Sequence, residues 1–141
     1  MIQKNTNELQ NELTATPNLN RFLSENREQF VSASFVDMLW EMFQKYGLSK
    51  AALAKNAGTS DVYLYQIFSG QRMPSRDRML CLCFGMNADL NQTQEMLKCS
   101  GFAQLYPKNR RDAVILYAIA HGLDLMATND LLFAQNEVTL C

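Results

Sequence analysis

The chain has 141 residues and a formal net charge of -1 at pH 7; 48% of its residues are hydrophobic and 19% are charged. This length suffices for one compact domain, or a small domain with an ordered extension, and for a core that needs no disulfides. The four cysteines show no paired C-x-x-C spacing and there is one histidine, so we predict neither a metal site nor a cofactor. We expect the cysteines to be free thiols in a reducing cytoplasm. The longest uncharged apolar run, residues 113–123, is about half a membrane span, which argues against membrane contact.

Helix-forming residues dominate the composition. Only three prolines and six glycines interrupt the chain, and no stretch alternates apolar and polar residues for long, which predicts an all-α protein.

Charge is distributed unevenly along the chain. Residues 48–80 carry five cationic side chains against two carboxylates, whereas the segments before and after each carry four against six. This basic segment indicates where an anionic partner would bind.

Residues 1–33 are polar and rich in asparagine. After Pro17, the apolar residues Leu19, Phe22 and Leu23 lie at helical spacing. We predict a loose N-terminal tail followed by a short helix that packs on the rest of the protein.

An amphipathic helix follows in the stretch SFVDMLWEMFQKYG. Ser34 is placed to cap its start and Gly47 to end it, and apolar residues recur every three or four positions from Phe35 to Tyr46. One face of this helix therefore belongs in the core.

Two short helices separated by a glycine turn come next. Ser49 is placed to cap the first helix, and Gly58 to end it in a left-handed conformation. Two residues later, Ser60 is placed to cap the second helix. Small inward residues such as Ala54 and Ala57 allow the two helices to cross closely, as in a helix-turn-helix unit.

The residues of this unit match the pattern of a known family. From Leu48 to Pro74 the chain reads L-S-x-x-x-L-A-x-x-A-G-x-S-x-x-x-L-x-x-I-x-x-G-x-x-x-P, which resembles the DNA-binding domain of the Cro and phage-repressor (XRE-type) family. The resemblance covers residues 34–100 and implies a lambda-repressor-like domain of five helices, the last two at 75–86 and 91–100. It also implies a bacterial or phage-derived regulator that binds double-stranded DNA, usually as a homodimer.

If Ser60 caps the second helix, helical spacing turns Leu64, Ile67 and Phe68 toward the core. In proteins of the family, the opposite face of this helix enters the major groove. The resemblance therefore assigns base contacts to Ser60, Asp61, Val62 and Gln66. Tyr63, Tyr65 and Ser69 lie on or beside the same face, so we predict that they contact DNA as well.

These side chains suit different contacts. The amide of Gln66 can pair with adenine N6 and N7, and Val62 can pack on a thymine methyl. Asp61 can accept a hydrogen bond from cytosine N4, but the helix dipole alone also explains a carboxylate at this position. Tyr63 and Tyr65 can donate to phosphate oxygens, or equally serve a protein partner.

Cations flank this helix and are absent from it. The resemblance places Lys50 against the DNA backbone, together with Gln71 and Arg72 in the loop that follows the helix, and Arg76 and Arg78 extend the basic segment. About three to five phosphate contacts per subunit would bind weakly alone, which favours a homodimer on a two-fold site.

The chain also resembles itself at an offset of 35 residues. Residues 75–98 align with residues 110–133, and six positions are identical, among them the Arg-Asp pairs at 76–77 and 111–112. Each copy predicts a helical hairpin with a capping Asp after its turn. Duplication and convergence of two helical hairpins both explain the match.

Residues 101–141 are predicted to form a C-terminal helical hairpin packed on the helix-turn-helix domain. Residues 113–120 are apolar on every side, which predicts a buried helix. Before them, Lys108, Arg110 and Arg111 form a cationic cluster, either a solvated helix start or an additional phosphate contact.

Together these features predict a cytoplasmic, sequence-specific DNA-binding regulator that reads the major groove with residues 60–69. The alternative is a protein-interaction module built on the same fold without DNA binding. The net negative charge of the chain and the tyrosines at positions 63 and 65 permit this alternative. An enzyme with a small-molecule substrate is not expected. The sequence has no Gly-rich phosphate loop and no H-E-x-x-H motif, and His121 has no plausible acid/base partner.

Overall fold

The computed structural model describes residues 4–26 and 35–141, and all regular secondary structure in these ranges is helical. The prediction of an all-α protein is confirmed. The chain divides into two compact units, the first ending at Val31 and the second beginning at Ser32. Within the described ranges, no helix combines the length and the apolar character that a membrane crossing needs.

The first unit contains α1 (Thr6–Ala15) and α2 (Leu19–Glu25), where the sequence predicted a loose tail and one short helix. α1 forms because its start is doubly capped. The Asn5 side chain accepts a hydrogen bond from the Glu8 N–H (2.8 Å), and the Glu8 carboxylate accepts one from the Asn5 N–H (3.3 Å). This capping box was present in the sequence and was missed.

The second unit begins with α3 (Phe35–Tyr46), the predicted amphipathic helix. Its predicted cap, Ser34, lies outside the described residues. Leu39 and Met42 of α3 are buried, which puts its apolar face in the core as the spacing predicts.

α4 (Lys50–Asn56) and α5 (Asp61–Phe68) follow and form the helix-turn-helix unit. Ser49 and Ser60 are their N-caps, and each hydroxyl accepts a hydrogen bond of 3.1 Å from the backbone N–H three residues later. Between the helices, Gly58 has a φ of 63°, a left-handed conformation that glycine adopts without strain. The predicted caps and glycine turn are confirmed.

Two helical hairpins complete the second unit. Their helices are α6 (Arg76–Gly85), α7 (Leu90–Cys99), α8 (Arg110–Ala120) and α9 (Leu125–Ala134). Together with the short segment without regular secondary structure that follows each hairpin, residues 75–105 form what we call the first repeat and residues 110–140 the second repeat.

The two repeats share side-chain contacts at equivalent positions. In the first, Gln94 Oε1 accepts a hydrogen bond from the Leu105 N–H; 35 residues later, Asn129 Oδ1 accepts one from the Leu140 N–H, and both distances are 2.8 Å. Both leucines are buried. Positive φ values recur at the same offset, at Asn87 and Gly122 and at Gly101 and Asn136. Convergent hairpins have no reason to share such details, so the structure favours a duplication.

Two ion pairs join the repeats reciprocally. Arg76 of the first repeat binds Asp112 of the second through both Nη atoms (3.2 and 3.0 Å), and Arg111 of the second binds Asp77 of the first (2.9 and 3.0 Å). The arginines are equivalent to each other, and so are the aspartates. Each repeat therefore contacts the other with the same residues, as in a two-fold interface.

A single buried cluster runs through the second unit. It contains Leu53 and Leu64 of the helix-turn-helix unit together with Ile115 and Leu132 of the second repeat. The second repeat therefore contributes side chains to the same core as the helix-turn-helix unit.

The prediction that α8 is buried on every side is wrong. Ile115 and Ala118 are fully buried, but Tyr117 is 54% exposed and Ala120 is exposed as well. Within the described ranges, α8 packs mainly against α9 and α7, which cover one side only. The apolar composition of α8 therefore exceeds what its burial in this chain requires.

Candidate DNA-binding interface

α5 has an inner and an outer face. Leu64, Ile67 and Phe68 are at most 3% exposed, so the predicted inward stripe is confirmed. On the other side, Val62 is 68% exposed and Tyr65 is 60% exposed. These two large side chains make the outer face of α5 available to a partner.

Trp40 of α3 holds the C-terminal end of α5. Its Nε1 donates a hydrogen bond to the Phe68 carbonyl (3.1 Å), and its ring meets the Phe68 ring edge-on at a centroid distance of 4.7 Å. The Phe43 ring also packs against the Phe68 ring, at a centroid distance of 5.3 Å. On the other helix, the Lys50 ammonium lies 5.0 Å from the centre of the Trp40 ring. The sequence prediction did not include this role for Trp40, although a tryptophan at the margin of an amphipathic pattern was the available signal.

The serines at the ends of α5 have structural roles. The Ser60 hydroxyl accepts a hydrogen bond from the Tyr63 N–H (3.1 Å), and the Ser69 hydroxyl donates one to the Gln66 carbonyl (3.1 Å). Asp61 is exposed in the first turn, where the helix dipole favours a carboxylate. Of these three residues, only Asp61 has a side chain that no cap or turn engages.

Gln66 and Arg72 form a polar pair beside the outer face. Arg72 Nη1 donates to Gln66 Oε1 (3.3 Å), and the Arg72 backbone N–H donates to the Gln66 carbonyl (3.2 Å). The side-chain bond orients the amide and still leaves one Oε1 lone pair and the Nε2 hydrogens for a partner. The structure thus brings together a predicted base-reading side chain and a predicted backbone contact, with the exposed Gln71 between them in the loop.

The two tyrosines of α5 are placed differently. Tyr65 is exposed, whereas Tyr63 is half-buried and packs against the core. The guanidinium groups of Arg72 and Arg78 lie 4.8 and 5.6 Å from the centre of the Tyr63 ring, and Arg78 also donates to the Gly58 carbonyl (3.2 Å). Tyr63 therefore positions two arginines at the edge of α5. Arg78 was missing from the predicted site residues, although its charge belongs to the basic segment.

Only part of the basic segment is available to a partner. Contrary to prediction, Arg76 does not flank α5, because it pairs with Asp112 and donates to the Ala103 carbonyl (3.0 Å). A sequence count of charges does not reveal this pairing. Within the described ranges, four cations of the segment have no carboxylate partner: Lys50, Lys55, Arg72 and Arg78.

Both arginines of the cationic cluster at residues 108–111 have a carboxylate nearby. Arg111 pairs with Asp77, and this hydrogen bond raises the pKa of the Arg111 guanidinium. Arg110 Nε lies 3.5 Å from the Glu137 carboxylate. The additional phosphate contact that the sequence left open is therefore disfavoured for both arginines.

A capped helix, a left-handed glycine and a second capped helix with an open outer face define a helix-turn-helix protein. Comparison with known families agrees, since residues 41–80 match the family described as Helix-turn-helix. The match is consistent with the Cro and phage-repressor type that the motif of this segment resembles. The match supports a DNA-binding regulator in general terms. Neither a curated protein nor a solved structure matches the chain significantly.

Proposed function

We propose that the protein is a cytoplasmic, sequence-specific regulator of transcription that reads the major groove of double-stranded DNA with α5. The observation that carries the proposal is the Gln66–Arg72 pair, which holds a base-reading amide next to the exposed stripe of α5. A side chain oriented in the free protein loses less conformational entropy when it binds.

The base contacts come from the outer face of α5. Gln66 pairs its amide with adenine N6 and N7, and Val62, which is largely exposed, packs on a thymine methyl one turn earlier. Asp61 contributes mainly to the helix start, because a carboxylate near phosphates is repelled.

The phosphate contacts come from the cations at the two ends of the unit. Lys50 and Lys55 lie on α4, and Arg72 and Arg78 are held against the Tyr63 ring. Phosphate contacts set the register of a protein on the duplex without reading its sequence. Four such cations are a modest footprint, which favours binding as a homodimer.

Gln66→Ala and Lys50→Ala separate base reading from backbone contact. Gln66→Ala is expected to relax the preference at one base pair by about 1–3 kcal/mol, because the bidentate amide contact is lost. Lys50→Ala is expected to weaken binding to all duplexes alike, because phosphates carry no sequence information. Selection of duplexes from a random pool, followed by mobility shifts with each variant, measures both effects.

Lys98→Ala is the matched control, since Lys98 is an exposed lysine of α7 that has no predicted DNA contact. It should bind every duplex as the wild type does. Failure of the wild-type protein to bind any duplex at about 50 mM salt contradicts the proposed function.

A second candidate is a protein-interaction module on the same fold. Its supporting observation is that the exposed residues of α5 include Val62 and Tyr65, while no lysine or arginine lies between Ser60 and Ser69. Aromatic side chains are enriched in protein interfaces. Absence of DNA binding, together with a protein partner lost in Tyr65→Ala, would favour this candidate.

A further inference from the structure

Two thiols of the second unit are in contact. Cys81 of α6 is 1% exposed, whereas Cys141, in the segment that follows α9, is exposed. Both cysteines are free, and their Sγ atoms are 3.3 Å apart. A disulfide bond has a length of about 2.05 Å, so a displacement of little more than about 1 Å brings the two sulfurs to bonding distance.

Hydrogen bonds hold Cys141 in this position. Asn129 of α9 accepts one from the Leu140 N–H (2.8 Å) and donates one to the Cys141 carbonyl (3.4 Å). Arg111 donates to the carbonyls of residues 138 and 139, at 2.9 and 3.2 Å. The exposed thiol is therefore positioned beside the buried one before any reaction, and such positioning favours a step within one chain over the same step between two chains.

The thiol pair lies beside the glycine turn of the helix-turn-helix unit. A Cβ atom on Gly58 would lie 3.2 Å from the Cys141 Sγ. The Gly58 carbonyl accepts a hydrogen bond from Arg78, which precedes Cys81 by three residues on α6 (3.2 Å). Three parts of the second unit meet here: the glycine turn, α6 and the segment after α9. A bond between the two sulfurs would tie that last segment to α6 directly beside the turn.

We propose that Cys81 and Cys141 form a reversible redox site, at which a hydroperoxide oxidises the two thiols to a disulfide. Cys141 reacts first because it is the exposed thiol. Its sulfur attacks one peroxide oxygen, the O–O bond breaks, and the leaving oxygen takes up the thiol proton, so that the products are a sulfenic acid at Cys141 and water or an alcohol.

The second step joins the two sulfurs. The Cys81 sulfur attacks the sulfenic sulfur of Cys141, the S–O bond breaks, and the leaving hydroxide takes up the Cys81 proton to become water. The two thiols have then lost two electrons, and the hydroperoxide has gained them. A low-molecular-weight thiol reverses the oxidation by thiol–disulfide exchange.

Burial makes Cys81 a partner for Cys141 rather than for reagents in solvent. It also raises the pKa of the Cys81 thiol, so that little of this cysteine is thiolate near neutral pH. The second step therefore depends on the contact with Cys141 and not on an activated thiol. Disulfides in a reducing compartment are usually transient and redox-sensing, which fits a pair that is free in its resting state.

The disulfide is expected to stabilise the fold. The two cysteines are 60 positions apart in the sequence, so the bond closes a long loop and restricts the unfolded chain. We expect oxidation to raise the midpoint of thermal unfolding of the second unit by about 10 °C, and reduction to reverse the rise. This expectation does not depend on whether the protein binds DNA.

Titration of the full chain with hydrogen peroxide tests the site. We expect the mass of the chain to fall by about 2 Da, because two thiol hydrogens are lost. Peptide mass spectrometry without reductant is expected to find Cys81 joined to Cys141, and dithiothreitol should restore both thiols. Cys141→Ser should form no such bond and show no rise in the unfolding midpoint. Cys99→Ser is the matched control, because Cys99 is a partly exposed cysteine of α7 outside the pair, and it should behave as the wild type does.

Several products would overturn the redox site. One is a chain in which Cys141 is oxidised to a sulfinic acid while Cys81 remains a free thiol. Another is a main product that joins two chains through Cys141, or that joins Cys141 to Cys99. A chain whose thiols all stay reduced at a peroxide concentration that oxidises free cysteine also contradicts the proposal.

Discussion

At the scale of single residues, the cysteines of α6 behave as core side chains. Cys81 and Cys83 are at most 2% exposed, whereas Cys141 is exposed. Burial raises the pKa of the Cys83 thiol to about 12 and also raises the pKa of Cys81, with a further contribution from the Cys141 thiol 3.3 Å away. Because the thiolate is the reactive form, both buried thiols are protected from reagents in solvent in the folded protein.

Alkylation of the native protein near pH 8 is expected to modify Cys141 and to spare Cys83 until the protein unfolds. The raised pKa of Cys83 also determines how the stability of the fold depends on pH. The folded protein keeps the Cys83 proton at a pH where the unfolded chain begins to lose it, so this contribution to stability is lost as the pH rises above about 8.5. Mass spectrometry after timed labelling measures the order in which the thiols react. Labelling of Cys83 as fast as Cys141 in the folded protein would contradict the assignment.

At the scale of elements, the two repeats depend on arginines that reach across their interface. Arg76 and Arg111 each bind an aspartate of the other repeat and two backbone carbonyls of their own repeat. Asp112 is the more buried aspartate, and it also accepts a hydrogen bond from the Tyr106 N–H (3.0 Å). The two ion pairs are therefore equivalent in position and unequal in burial.

Asp112→Ala is expected to reduce the free energy of unfolding by about 3 kcal/mol. The substitution removes the carboxylate that neutralises the Arg76 guanidinium, which keeps only two backbone carbonyls as acceptors, and it leaves the Tyr106 N–H without its acceptor. Asp77→Ala is the matched control. Asp77 is more exposed, so we expect a loss of about 1 kcal/mol. Urea unfolding of both variants measures the difference. Equal losses would show that burial does not distinguish the two pairs.

At the scale of the whole molecule, charge pairing decides which cations face a partner. The chain is slightly acidic overall, yet Lys50, Lys55, Arg72 and Arg78 have no carboxylate partner within the described ranges. The ion pairs between the repeats remove Arg76 and Arg111 from the set available to DNA. Fewer cations are therefore available to DNA than the number of basic residues suggests, and those available lie in and next to the helix-turn-helix unit.

The salt dependence of DNA binding is expected to reflect these four cations. If each contacts a phosphate, the logarithm of the affinity falls with the logarithm of the salt concentration with a slope of about -4 per subunit, or about -7 for a dimer. Arg78→Ala should make the slope shallower by about one unit per subunit, and the paired Arg110→Ala should leave it unchanged. Fluorescence anisotropy across a salt series measures the slope. A slope near zero would mean that these cations make no phosphate contacts.

The helix-turn-helix unit was predictable because its signals are local. Ser49 and Ser60 bond to backbone N–H groups three residues away, and Gly58 needs only its own freedom of φ. The hydrophobic spacing of α5 likewise places Leu64 and Ile67 in the core. For such features, the residues that determine the structure lie within one or two helical turns.

The sequence by itself thus determined the helices of the second unit, the glycine turn and the inward stripe of α5, because caps and periodicity act over a few residues. Only the tertiary structure decided that Arg76 pairs with Asp112, 36 residues away, and that Tyr63 supports arginines. It also decided that α8 keeps an open apolar face, since periodicity shows which residues are apolar and not which of them a neighbour covers. Burial and ion pairing depend on the packing of distant elements, which local patterns do not encode.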